Sequence, residues 1–198
     1  MVKRSRKTTD IRRREIAGAA LQLVGEHGPR ALTTARIAER VGVTSGALFR
    51  HFPTVEAMLD EAVDQGIEAL ESTFPDPALP PSQRLRTIAS ARVNLLSRRP
   101  GIAWLLLSDQ VHLLVSEASV GRLRALVQRS RSFLLEALRQ GIADGSIRDD
   151  QPPEALLVVF TGTVHALIGS RGVHRDPDRP NPTLDTLFAL LAPPLSQR

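Results

Sequence analysis

The chain has 198 residues, 26 Lys and Arg against 21 Asp and Glu for a formal net charge of +5, and 42% hydrophobic side chains. At roughly 150 residues per domain this is one large domain or a small one joined to a larger one, and the apolar content excludes a disordered chain. With no cysteine there is no disulfide framework, no thiolate metal site and no cysteine nucleophile.

The longest apolar stretches, Ile102 to Leu107 and Ala155 to Phe160, fall far short of the roughly 20 residues that span a bilayer. The N-terminal basic run meets Thr8, Thr9 and Asp10 instead of an apolar segment, so it does not read as a signal peptide. A cytoplasmic protein without a membrane partner is expected. Charge is divided unevenly along the chain. Residues 1 to 52 hold 11 Lys and Arg against 4 Asp and Glu, whereas residues 53 to 198 hold 15 against 17. Lys3 and Lys7 are the only lysines, so the arginine preference is compositional, but the net +7 of the first quarter points that quarter toward a polyanion such as nucleic acid.

Proline and glycine divide the sequence into helix-length pieces, with neither an alternating strand pattern nor an internal repeat, and the expected fold class is all-α. The first helix is predicted from Thr9 or Asp10 to about His27, with Ile16, Ala19, Ala20, Leu23 and Val24 on one face, and Gly28-Pro29 stops it. Thr33 is placed to cap a short helix from Thr34 to Val41, with Leu32 and Ile37 as a hydrophobic staple. Gly42 suits a turn with positive φ. Thr44 repeats the capping device, with Val43 and Leu48 as staple, for a third helix from Ser45 to Phe52 that Pro53 ends. Thr54 caps a fourth helix to about Ser72. The stretch from Pro75 to Pro81 is a proline-rich connector. Further helices are expected over about 82 to 98, 100 to 115, 117 to 143, 152 to 171 and 182 to 192, with Gly172 to Asn181 as a charged loop.

Two short capped helices joined by a glycine turn have the dimensions of a helix-turn-helix, which sends the start of its second helix into the major groove. Leu48 and Phe52 share the inward face, so Ser45, Gly46, Arg50 and His51 point outward. Arg50 can bond a guanine or a phosphate, and the amides around Thr34 and Thr44 offer anion sites at helix starts. A plain helical hairpin with solvated arginines has the same spacing; the net +7 confined to these residues favours DNA.

The run Leu32-Thr33-Thr34-Ala35-Arg36-Ile37-Ala38-Glu39-Arg40-Val41-Gly42-Val43-Thr44-Ser45-Gly46-Ala47-Leu48-Phe49-Arg50-His51-Phe52 resembles the DNA-binding signature of the TetR family of bacterial transcriptional regulators. The resemblance is specific over about residues 9 to 70. It implies a homodimer on a palindromic operator, usually a repressor released by a small ligand held in the C-terminal domain. Carried over by position, Thr34 and His51 would meet phosphates, and Ser45, Gly46 and Arg50 would face bases. Three residues depart from the pattern: Phe49 stands where the family usually has tyrosine, Val55 where a lysine commonly begins the fourth helix, and Arg36 at a usually acidic position. Arg36 meets the positive end of the helix dipole unfavourably, which makes sense if a phosphate lies nearby. Arg36 and the arm Lys3, Arg4, Arg6 and Lys7 are therefore expected to replace the lost contacts, a solvated tail being the alternative for the arm.

The expected organisation is a DNA-binding domain over 1–53, a connecting helix over 54–72 and a ligand-binding and dimerisation domain over 74–198. Between Glu154 and Arg171 there is no charge, and that helix is apolar nearly all round. With the late apolar helix at Leu184 to Leu191 it suggests a homodimer interface through Phe160, Val164, Leu167, Ile168, Leu187 and Phe188; the alternative is a central helix of a monomer. Polar groups interrupt two apolar stripes, Trp104-Ser108-Val111-His112-Val115 and Leu123-Leu126-Val127-Ser130-Phe133-Leu134-Ala137. Trp104, Ser108, His112, Ser130 and Phe133 are therefore candidates for binding a mostly apolar effector, unless each is simply satisfied in the core.

No enzyme is expected. With lysine only at positions 3 and 7 there is no phosphate-binding loop, GxSxG is absent, and His27, His51, His112, His165 and His174 include no pair at metal-ligand spacing within a helix. Asp109 with His112 has commonplace helical spacing. No cofactor or metal is anticipated. The partners expected are double-stranded operator DNA, a second copy of the chain and a small-molecule effector. An activator, a nonspecific DNA-binding protein or a helical interaction module are the rivals.

Overall fold

The computed structural model describes residues 2–169 and 181–194, with side chains from Thr9 onward. The side chains of Lys3, Arg4, Arg6 and Lys7, and most of the expected charged loop after Gly172, lie outside the described residues. The described residues form helices throughout: α1 (Val2–His27), α2 (Thr34–Val41), α3 (Ser45–Leu48), α4 (Val55–Glu71), α5 (Pro81–Arg98), α6 (Pro100–Leu107), α7 (Glu117–Ala143), α8 (Pro153–Gly169) and α9 (Pro182–Leu191). None of them is long and apolar enough to cross a membrane. Two compact units emerge, one from Met1–Ala69 with Arg99–Arg124, the other from Leu70–Arg98 with Ala125–Arg198.

Three elements differ from their sequence expectation. The first helix begins at Val2 instead of Thr9 or Asp10. The third ends at Leu48 instead of Phe52, and the amides of His51 and Phe52 both turn back to the Leu48 carbonyl. The segment 100 to 115 is not one helix. α6 stops at Leu107, Ser108 turns extended with its hydroxyl accepting from the Gln110 amide at 3.1 Å, and a 3-10 turn follows over Val111–Leu113. A serine that satisfies a nearby amide offers the backbone an alternative to the helix, and here the alternative wins.

In the first unit, α1 buries Ile16, Ala17, Ala20, Leu23 and Val24. It crosses α6 so closely that a Cβ added to Gly101 would lie 2.3 Å from the Leu21 carbonyl oxygen, and one on Gly25 would lie 2.2 Å from the Gly101 nitrogen. The start of α7 is fixed by Asp60 of α4. Its Oδ1 accepts from the Ser116 amide and hydroxyl, each at 3.0 Å, and from the buried Ser119 hydroxyl at 2.5 Å. Burial raises the Asp60 pKa, but these hydrogen bonds from Ser119 and Ser116, with the charge of Arg122, outweigh it and hold the carboxyl below its ordinary value.

In the second unit α5, α8 and α9 share a core of Leu85, Ile88, Leu96, Leu157, Phe160, Leu184 and Leu187. Phe160 meets Phe188 edge-on at 6.3 Å, and the Arg86 guanidinium lies 4.2 Å from the Phe188 ring centre while pairing with Asp185.

Candidate nucleic-acid interface

The two short helices of the first unit owe their limits to side chains that replace missing backbone partners. Thr33 has extended backbone and its hydroxyl accepts from the Arg36 amide at 3.3 Å, the capping bond expected at the start of α2. At the other end Gly42 adopts φ 74°. The Val43 amide reaches back to the Ala38 carbonyl at 2.9 Å and the Gly42 amide to Glu39 at 3.2 Å, a Schellman closure that only a left-handed residue permits without strain. Thr44 then caps α3 through the Ala47 amide, and Thr54 caps α4 through the Ala57 amide. Ile37, Leu48 and Phe52 are fully buried, so both helices are pinned by one apolar face.

Arg13 of α1 fixes the turn after α3. One guanidinium nitrogen donates to the His51 carbonyl at 2.5 Å, the other pairs with Glu61 of α4 at 3.2 Å, and the carbon between them sits 4.1 Å from the centre of the Phe52 ring. His51 itself is half-buried, and its Nδ1 is buried without a hydrogen-bond partner. Gly46 and Arg50 are exposed, as are Arg36 and Thr44, while Ser45 and Thr34 are partly covered. Four arginines of the first unit are already neutralised. Arg12, Arg13, Arg14 and Arg40 pair with Glu15, Glu61, Glu68 and Glu26 respectively. Hydrogen bonding to Arg40 is the main cause of a depressed Glu26 pKa, with burial opposing it. Among the described residues no carboxylate pairs with Arg36 or Arg50, so their charge is available to an incoming polyanion. Capped helices, a left-handed turn and unpaired exposed arginines together make a helix-turn-helix with a cationic outer side.

Residues 16–62 match the family model of the bacterial regulatory proteins of the tetR family. The nucleoid occlusion factor SlmA of Citrobacter koseri is 32% identical over 143 residues, covering 68% of this chain and 70% of that protein. The chain belongs to the tetR family. It is accordingly a DNA-binding transcriptional regulator. A second similar protein is the HTH-type transcriptional repressor KstR2 of Mycobacterium tuberculosis, 27% identical over 142 residues and 70% of each chain. Solved structures with the same fold include that of KstR2, a ketosteroid transcriptional regulator, with TM-score 0.75 and 21% identity over 91% of this chain and 95% of that one. Another is AibR in complex with isovaleryl coenzyme A and operator DNA, with TM-score 0.75 and 22% identity over 93% and 100%.

In this tetR-family chain Phe49, where the resemblance leads one to expect tyrosine, is 49% exposed and offers no hydroxyl. The candidate effector residues fall into separate units. Trp104, partly covered, Ser108 and the exposed His112 belong to the first, and the break at Ser108 removes the single helical stripe expected to align them. Ser130 and Phe133 belong to the second, where they are brought together around an arginine that the sequence reading did not single out.

That arginine is Arg92 of α5. Its Nη2 donates to the Ser130 hydroxyl at 2.7 Å, its Nε to the Thr73 hydroxyl at 3.3 Å, and its guanidinium lies 5.1 Å from the centre of the Phe74 ring. Phe74 in turn meets Phe133 edge-on at 5.2 Å. Desolvation lowers the Arg92 pKa to about 10, which still leaves it cationic at neutral pH. His165 of α8 is held below the usual histidine range by desolvation and then by the charge of Arg92. A signal was present: Leu85, Ile88, Ala89, Arg92 and Leu96 share one helical face, so a charge interrupts an otherwise apolar stripe.

Of the residues expected at a dimer interface, Phe160, Val164, Leu167, Ile168 and Leu187 are buried within the regulator's own second unit, and Phe188 is half-covered. The large apolar side chains that α8 and α9 leave open are Val158, 65% exposed, Val159, 50%, and Leu190, 56%.

Proposed function

We propose that the regulator is a ligand-responsive repressor that binds a palindromic operator as a homodimer in the cytoplasm and catalyses no reaction. The observation that carries this reading is the capped helix-turn-helix with Arg36 and Arg50 exposed and unpaired among the described residues. The reader is residues 1–53, residues 54–72 connect, and residues 74–198 serve effector binding and pairing. In each half-site α3 enters the major groove, with Ser45, Gly46 and Arg50 against base edges. Thr34, Thr44 and His51 hold phosphates, as does Arg36, whose charge also takes over part of the load that tyrosine and lysine carry elsewhere in the family.

Pairing uses the outer face of α8 and α9, with Val158, Val159 and Leu190 in contact and Phe160, Val164, Leu167, Ile168, Leu187 and Phe188 backing them. The effector is mostly apolar; its candidate residues are Ser130 and Phe133 in the second unit and, taken separately, Trp104, Ser108 and His112 in the first. It acts by binding more tightly to a conformer in which α4 alters the spacing of the two recognition helices; equal affinity for both conformers shifts nothing. The repressor KstR2 and the AibR complex with isovaleryl coenzyme A and operator DNA support a repressing, ligand-bound role.

Selecting bound fragments from the genome of origin, followed by footprinting, tests the proposal. A dyad-symmetric footprint over a promoter that small metabolites release is expected. A footprint upstream of the promoter marks an activator, and no discrete footprint marks a nonspecific DNA-binding protein.

A further inference from the structure

Arg92 differs from three exposed arginines of the second unit in what it lacks. Arg86, Arg129 and Arg139 each hold a carboxylate, from Asp185, Glu71 and Glu154. Arg92 lies between Phe74, Thr73 and Ser130, and among the described residues no carboxylate pairs with it. Its two polar neighbours neutralise nothing. The Thr73 hydroxyl donates its proton to the Leu70 carbonyl at 2.5 Å, and the Ser130 hydroxyl donates to Leu126 at 2.9 Å, so both act on Arg92 only as acceptors. They hold the guanidinium in a fixed plane. Of its five N–H donors two are used, and three remain. Desolvating a cation without a counter-ion is costly, and one aromatic face offsets only part of that cost.

We infer that Arg92 is the anchor of a monocarboxylate site in the second unit, with Thr73 and Ser130 orienting its guanidinium and Phe74 and Phe133 flanking the apolar body of the ligand. A planar guanidinium with adjacent free donors matches a carboxylate in a two-bond fork. One fixed cation balances one negative charge; Arg129, which also lies over the Phe74 ring, is already paired with Glu71. A phosphate monoester would bring a second charge that nothing here offsets. The inference rests on the reading that the second unit receives the effector, and it adds the ligand's charged end.

The test titrates full-length protein calorimetrically at neutral pH with octanoate, octan-1-ol and octyl phosphate as probes of equal chain length. Octanoate should bind at least about tenfold more tightly than the alcohol, the ratio expected for a charged hydrogen-bonded pair, and more tightly than the phosphate. In Arg92→Met the preference for acid over alcohol should disappear. Arg92→Lys, which keeps the charge but not the fork, should retain part of it. Equal binding of acid and alcohol by the unaltered protein, no octanoate binding at millimolar concentration, or unchanged octanoate affinity in Arg92→Met overturns the inference. Because the acid-to-alcohol ratio is measured on the unaltered protein, a variant that fails to fold does not remove the test. Operator affinity is measured separately. Arg92-dependent octanoate binding that leaves DNA affinity unchanged upholds the carboxylate site and contradicts release by ligand at this site; release by cell metabolites without Arg92-dependent acid binding does the reverse.

Discussion

Arg13 Nη1 donates to the main-chain carbonyl of His51 over 2.5 Å, so a side chain of α1 holds the turn that closes the recognition helix. The same guanidinium reaches Glu61 and covers Phe52, joining α1, α4 and the turn after α3 through one residue. Arg13→Met should lower stability by about 1–3 kcal/mol, the range for a charged hydrogen bond plus a ring contact. It should also weaken binding to all duplexes, because α3 loses its orientation. Glu61→Gln, which removes only a partly exposed ion pair, should cost about 1 kcal/mol or less. Thermal denaturation of both variants beside a duplex-binding titration checks the ranking.

The crossing of α1 and α6 leaves no space for a side chain at Gly101, whose added Cβ would sit 2.3 Å from a backbone oxygen. Backbone cannot yield as a flexible side chain does, so Gly101→Ala should destabilise the protein by at least about 2 kcal/mol. Gly46→Ala, where a Cβ meets nothing within 4 Å, should leave stability nearly unchanged. Denaturant unfolding of the pair separates a helix-propensity effect from a steric one.

Asp60 links stability to pH. Its pKa in the folded protein lies below the ordinary 3.8, so the unfolded chain takes up the proton first as pH falls. The stabilisation from the ionised carboxylate is therefore fully present above 3.8 and is lost as pH drops through the lower folded value. Asp60→Asn should cost about 1 kcal/mol at neutral pH, solvent screening keeping it small, and the gap to the unaltered protein should close in acid. Stability measured across pH for both proteins shows whether the gap closes there or stays constant.

Phe49 is exposed on the outer side of the turn, and it carries no group for a phosphate. Phe49→Tyr should tighten binding to operator and random DNA alike, by about threefold to tenfold. Arg36→Ala should weaken both and lower the slope of affinity against salt by about one counter-ion. A change confined to one sequence for either variant would assign that residue to base reading instead.

Much of the fold was legible because local chemistry sets it. Thr33, Gly42, Thr44 and Thr54 mark helix ends through bonds to amides and carbonyls a few residues away, and those bonds form as the spacing predicts. The end of α3 was not legible, because Phe52 is buried as a continued helix would place it while Arg13, 38 residues distant, takes up the His51 carbonyl. In α8 the apolar character all round hides which face is inward. Only the packed structure distinguishes buried Phe160 and Val164 from exposed Val158 and Val159. Arg92 interrupts a helical stripe visible in the sequence, but its meaning depends on Thr73 and Ser130, 19 and 38 residues away.

Base reading by α3 and the turn that follows it is the centre of the account, and Arg50, in that turn, is the exposed, unpaired residue best able to report it. The decisive measurement is the affinity of the unaltered protein and of Arg50→Ala for a genomically selected operator and for a random duplex of the same length at one fixed salt concentration. Loss of a base contact should cost about 1–3 kcal/mol on the operator and much less on random DNA. Equal loss on both duplexes would contradict the assignment of Arg50 to base reading.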